Sequence, residues 1–304
     1  YGAERSGGSK PTVDFDALND YVIKAVDCEQ PETMNGVITG IVDLGTQKQP
    51  DAEYKIDDDD KGLSVDELTE KYKEQLIGNF SGDDQYGKIV KFAETFDNDT
   101  KSRMIKKFVK QKPRQSIVYC VDFPEIMLNK GQFFGDDSGK ESPLRLWVGG
   151  SFYQKHLGKM TVQNLIPLKK TKDDKLGWTL NPKSGLYKLA IGTKLITTEQ
   201  PFQDSEIDKL LGKTAQFKIQ VFNQKSSKDD RQFYTEKINF VGAIQKKDKP
   251  FEGVETFLIQ FNHPNDETAL KQVRKHVINT ITQATNFEGS AIQKQLIELK
   301  IVDG

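Results

Sequence analysis

The chain has 304 residues, enough to bury a proper core as one large domain or about two ordinary ones. Forty-four basic residues against forty-five acidic ones leave a formal charge of −1, which excludes a global field toward nucleic acid and confines any such attraction to local patches. Two cysteines, Cys28 and Cys120, stand far apart without C-x-x-C or companion histidines, which argues against a zinc or disulfide framework.

Taken in order, the pattern alternates between helical and strand periodicity, as a mixed α and β protein does. Residues 14–26 read as a first helix, with Phe15, Leu18, Val22 and Val26 on one side. GVITGIVDL, 36–44, alternates as a half-buried strand. The acidic stretch 51–67, with Asp57 to Asp60 as a run, reads as a solvated loop. Ser64 and Glu67 make a capping box, which predicts a helix over about 65–77. Lys101, Arg103, Lys106, Lys107, Lys110, Lys112 and Arg114 form the largest one-sign patch in the chain. It runs into SIVYCVDFP, 116–124, a strand that Pro124 should end. PLRLWVGG gives a third strand, 152–183 is lysine-rich without a clear period, and 186–195 leans toward helix. Ser205 reads as the cap of a short helix that Gly212 closes, followed by strands at 215–222 and 233–244 around a polar loop holding Lys225 and Arg231. Helices over about 266–284 and 290–299 complete the order.

No apolar run approaches the roughly 18 residues of a membrane span, and the polar start YGAERSGGSKP is unlike a signal peptide, so a soluble, cytoplasmic protein is expected. Enzyme motifs are weak. G-D-D-Q-Y-G-K-I at 82–89 has phosphate-loop spacing, but Ile89 replaces the Ser or Thr that would hold magnesium. His156, His263 and His276 have no nucleophile or ligand at telling spacing, and consecutive aspartates without a glycine turn ordinarily make repelling surface rather than a cation site.

IVDLGTQ at 41–47, YCVDFPE at 119–125, and LLGKTAQFKIQV with FYTEKINFVGAI within 210–244 resemble phage OB-fold single-stranded-DNA-binding proteins. In that family a first strand ends in V-D-L-G-T-Q and L-L-G-K opens the fourth. Two departures stand out: Val121 occupies a position often held by tryptophan, and the chain ends IELKIVDG rather than in an acidic, aromatic-tipped tail. The resemblance implies an α+β protein with an OB-type antiparallel β-barrel core over 35–250, carrying insertions at 48–114 and 125–183, between an N-terminal helical segment (1–34) and a C-terminal one (251–304). It implies single-stranded DNA as ligand and a phage DNA or RNA polymerase as protein partner in a host cytoplasm. No cofactor, metal or catalytic activity comes with it.

Binding a single strand without reading its sequence needs cations along the phosphates and rings on which bases stack. Lys218 and Phe222 on the first of the two late strands, Lys225 and Arg231 in their loop, and Tyr234 and Lys237 on the return strand fit that need. The run Lys106, Lys107, Lys110, Lys112 and Arg114 would lie in an enlarged loop between the first two strands, where OB folds commonly grip their ligand; Arg145 and Trp147 are secondary candidates. The plain readings compete: lysine runs are ordinarily solvated faces, and Trp147 and Tyr119 suit a core. Three functions stay open on sequence alone, namely a coating protein for single strands in replication or recombination, a transcription cofactor that recruits a phage RNA polymerase to melted promoters, and a structural or scaffold protein with no nucleic-acid role.

Overall fold

The computed structural model describes residues 13–97, 100–149, 152–154, 158–160, 165–225 and 232–302, and the architecture is α+β with mostly antiparallel sheets. Helix α1 (Phe15–Val26) begins because the Asp14 carboxylate accepts from the Ala17 amide at 3.0 Å, satisfying one of the first-turn donors that a helix leaves open. Asp27, in the left-handed region, stops it. Strand β1 (Glu32–Gln47) is longer than expected and buried on both faces over most of its length, not half-buried as its alternation suggested, because both cores pack against it.

The chain then builds a small sheet of its own. It contains β2 (Ala52–Lys55), β3 (Ile89–Asp97) and β4 (Ser102–Val109) in the order β2-β4-β3, and α2 (Val65–Lys71) packs on it through Leu68 against Ile89 and Phe92. The capping box forms, the Glu67 carboxylate accepting from the Ser64 amide at 2.8 Å, but the helix ends at Lys71. Two expectations are overturned here. The acidic stretch is not wholly solvated, because Asp60 is buried and accepts from Lys71 Nζ and the Tyr72 hydroxyl, which hold its carboxyl low. Most of the 101–114 run is strand rather than loop, because Met104, Ile105, Phe108 and Val109 among its lysines sit in the ladder with β3. Residues 82–85 form a 3₁₀ turn leading toward β3, not a loop that opens a helix.

Strand β5 (Arg114–Leu128) passes through Pro124. A register shift between Phe123 and Met127 lets pairing with β6 (Ser142–Val148) resume beyond the proline. The lysine-rich segment that follows holds a hairpin of β7 (Phe152–Gln154) and β8 (Gly158–Met160), a short β9 (Ile166–Pro167) paired to β5, and a second hairpin of β10 (Lys170–Asp173) and β11 (Gly177–Leu180). Helix α3 (Gly185–Gly192) is capped by Ser184. The 3₁₀ segment Asp204–Leu210 is capped at Gln203, whose amide donates to Glu206, and not by Ser205. Gly212, with φ 74°, turns the chain into β12 (Thr214–Lys225), which pairs with β13 (Gln232–Gly242).

The main sheet runs β13-β12-β1-β5-β6, with every neighbouring pair antiparallel and β14 (Phe257–Ile259) lying parallel to β1 off this path. The spatial order β12-β1-β5-β6 is a Greek key, in which the fourth strand returns by a long connection to lie beside the first. The closed barrel expected from the sequence is not found: among the described residues no ladder joins β13 to β6. Ile38, Val121, Phe123, Phe217 and Ile219 face a core shared with α1 and α3. Val42, Leu44, Val118, Cys120 and Trp147 face a second core under α4 (Glu267–Lys271), α5 (Lys275–Ile281) and α6 (Ala291–Glu298).

The single helix expected over 266–284 is thus two. Arg274, between α4 and α5, has an extended backbone with φ −62° and ψ 143°. Its guanidinium donates to the Glu236 carboxylate on β13 at 2.9 Å and to the Arg145 carbonyl on β6 at 3.0 Å, so one side chain spans the two strands between which the ladder is missing. Burial alone would raise the Glu236 carboxyl; the Arg274 charge and hydrogen bonds from Arg274 and Tyr234 outweigh it and hold the group below its ordinary range.

Both thiols are buried, and burial pushes Cys120 up to about 12 and Cys28 above its ordinary value. Since the thiolate is the reactive form, neither cysteine should react with an aromatic disulfide reagent at pH 8 until the chain unfolds, and both should then react. Rapid labelling of native protein would contradict this packing.

Candidate nucleic-acid interface

The late hairpin is built by simple alternation. Ala215, Phe217, Ile219 and Val221 of β12 are buried, so Gln216, Lys218, Gln220 and Phe222 point the other way. The register sets Lys218 opposite Asn239, Gln220 opposite Lys237 and Phe222 opposite Thr235, which gathers these side chains on one outward face. Lys237 Nζ lies 4.8 Å from the centroid of the Phe222 ring, a cation–π distance. Lys218 and Lys237 are exposed, and Phe222 is half-buried with its ring beside the Lys237 cation. The Gln220 amide donates to the Glu29 carbonyl at 2.9 Å, which ties the face to the segment after α1. Lys225 is exposed at the end of β12, opposite Gln232, while Arg231 lies outside the described residues.

The other candidates divide. Tyr234 is on the opposite face of β13: it packs against the first core, and its hydroxyl donates to Glu236 at 2.9 Å. Burial, with the Glu236 charge behind it, drives that hydroxyl far above its usual range, so Tyr234 offers no ring to the outward face. Trp147 is 3 % exposed, its ring 6.3 Å from that of Phe257 in the core under α4–α6. Arg145 forks onto Asp122 at 2.7 and 2.9 Å and also donates to Gln272, which spends the planar donor set on the protein itself. Neither serves as an open platform. Lys106 and Lys107 are only 20 % and 22 % exposed and are paired with Glu53 at 3.0 Å and Asp57 at 3.7 Å, so their charge is largely offset. Lys112 is exposed, Lys110 and Arg114 are half-buried, and these three make no ion pair among the described residues.

Several outward rings escaped the sequence reading, among them Tyr54, Phe96, Phe134 and, most exposed of these at 63 %, Trp178 on β11. The signal that could have found Trp178 is a hairpin pattern, K-T-K and W-T-L around the turn residues D-D-K-L-G. Among the described residues no helix is long and apolar enough to cross a membrane. Fold and face together define an α+β chain with an open Greek-key sheet and a strip of cations and a phenyl ring on its outer side. No protein-family model, curated protein or solved structure matches the chain.

Proposed function

We propose that the chain is a non-catalytic single-stranded-DNA-binding protein of the kind its motifs resemble, built on an opened OB-type barrel and acting to coat exposed strands. The observation that carries the reading is the outward row Lys218, Phe222 and Lys237, fixed by the β12–β13 register, in which a ring stands among cations that have no carboxylate partner among the described residues. Support for the barrel reading comes from the Greek-key order, from α3 lying between the third and fourth long strands, and from Arg274 spanning the β13–β6 seam. In chemical terms the lysines meet successive phosphates and the ring meets a base face, which needs no base-edge readout and so gives affinity without sequence preference.

The test is fluorescence anisotropy with a dT oligonucleotide over a range of salt. Each phosphate neutralised on a single strand contributes about 0.7 to the slope of log affinity against log salt, so Lys218→Glu with Lys237→Glu should flatten that slope by about 1.4 and weaken binding at every salt concentration. Lys106→Glu with Lys107→Glu should change it little, since those cations already face carboxylates. Absence of dT binding by the unaltered chain at low salt would end the reading.

A further inference from the structure

The β10–β11 hairpin stands apart from the β12–β13 face and carries its own cationic and aromatic chemistry. The ladder sets Lys172 directly opposite Trp178. Lys169, Lys172, Lys175 and Lys183 are exposed and make no ion pair among the described residues, whereas Lys170 is paired with Asp204 at 2.8 Å. Asp173 is turned inward on its own loop, accepting from the Lys175 and Leu176 amides, which leaves Asp174 as the one outward carboxylate in 169–183.

The arm is held firmly from behind. The Leu180 amide donates to the Phe202 carbonyl at 2.8 Å, the Phe202 amide donates to the Thr179 hydroxyl at 2.8 Å, and Gln203 donates to the Trp178 carbonyl. Leu168, just before β10, donates to the Gln115 carbonyl at 2.8 Å. Thr179 and Leu180 are buried while Trp178, beside them, is not. An indole that gains little from its own fold, held on a fixed backbone and flanked by unpaired ammonium groups, has the make-up of a base-stacking platform; a protein-docking ring would gain nothing from that excess of like charge unless its partner were acidic.

We propose that Trp178, with Lys172 beside it, is a second contact for unpaired polynucleotide, stacking one base while the hairpin lysines meet the flanking phosphates. This rests on the single-strand-binding reading and extends it to a different pair of strands.

Intrinsic fluorescence tests it directly. The chain has two tryptophans, and Trp147 is buried, so quenching of the exposed, red-shifted emission on adding dT oligonucleotide reports Trp178. Expected are quenching on binding, a roughly 5- to 150-fold loss of dT affinity in Trp178→Ala without change in melting temperature, and recovery of most of it in Trp178→Phe. Trp178→Ala that binds dT as tightly as the unaltered chain, with no quenching in the latter, would remove the hairpin from the site and leave the β12–β13 reading standing. Failure of the unaltered chain to bind dT at all would overturn both. Loss of self-association in Trp178→Ala, by sedimentation, with dT affinity unaltered would make the ring a protein contact and overturn this proposal alone.

Discussion

Arg274→Leu should destabilise the chain by about 3 kcal/mol, roughly 5 °C in melting temperature. The reason is asymmetry of burial. The Glu236 side chain is 9 % exposed and that of Arg274 34 %, so truncating the arginine strands a carboxylate in the interior, while the partly wet arginine keeps the cost at the low end of the 3–5 kcal/mol typical of broken buried pairs. The double variant Arg274→Leu, Glu236→Leu should regain much of the loss, because the pair together gives little beyond what apolar packing would. Hydrogen exchange should accelerate in β6 and β13 in particular, since Arg274 is what spans them. Uniform acceleration over both cores would remove the seam from the explanation.

The pH dependence has a definite sign. The folded chain holds Glu236 below its ordinary carboxyl range, so its contribution is present at neutral pH and is lost as pH falls through that lowered value, below about 4.5. His276, pushed down to about 4 by burial and then by the Arg274 charge, protonates first in the unfolded chain, so further stability goes as pH falls from about 6.5 to 4. In Arg274→Leu the Glu236 contribution reverses, because a buried carboxyl without its cation protonates more readily than an exposed one. The gap between the two proteins should therefore begin to narrow above about pH 4.5, as the variant's Glu236 protonates, and narrow further below it as the unaltered chain loses its own contribution. A gap that stays constant down to pH 3 would mean that Glu236 is not the stranded group.

The long strands of the main sheet were legible because alternation is a local property. β12 and β13 read correctly to within a few residues, β5 was found but runs on past the Pro124 expected to end it, and the capping box at Ser64 and the glycine turn at Gly212 read at once. The interior place of Tyr234 was missed although parity carried it: residues 234 and 237 differ by an odd number, so on one strand they cannot share a face, and the two are inconsistent as contacts for one ligand. What local pattern could not give is what distant parts impose. The spacing of Leu270, Val273, Val277 and Ile281 continues smoothly across Arg274, yet the backbone breaks there where a guanidinium reaches two strands far away in sequence. The adjacent Lys106 and Lys107 between the apolar pairs of 102–109 break strand alternation and look like a charged loop until β2 and β3 supply partners and Glu53 and Asp57 supply counter-charges. Closure of the sheet is a long-range property of the same kind, and no short motif specified it.

Gly45→Val is the second large expected effect, and it concerns the most distinctive motif in the chain. Within IVDLGTQ, Asp43 accepts from the Gly45 amide at 2.9 Å, and the β1–β5 register shifts between Asp43 and Thr46. Gly45 sits at φ +71°, and a Cβ there would lie 2.3 Å from the Phe261 ring; at Gly40, earlier in the same strand, it would lie 2.1 Å from the Phe257 ring. The two glycines are notches that receive two phenyl rings, and Gln47, donating to the Thr280 carbonyl at 2.9 Å, fastens the same strip to α5. The motif therefore docks the C-terminal helices whatever else it does. Left-handed strain of about 1–3 kcal/mol and overpacking of similar size should together cost Gly45→Val about 3–5 kcal/mol, with Gly40→Val losing only the packing share. Gly62→Ala is the control: its φ of +93° carries the strain, but nothing lies within 4 Å of the added carbon. Mild proteolysis should cut Gly45→Val in the linker at 243–256 well before the unaltered chain, because releasing the rings frees α4–α6 while the core shared with α1 and α3 persists. Should Gly45→Val match Gly62→Ala in both melting temperature and cleavage rate, the rings do not hold the helices and the motif must be explained some other way.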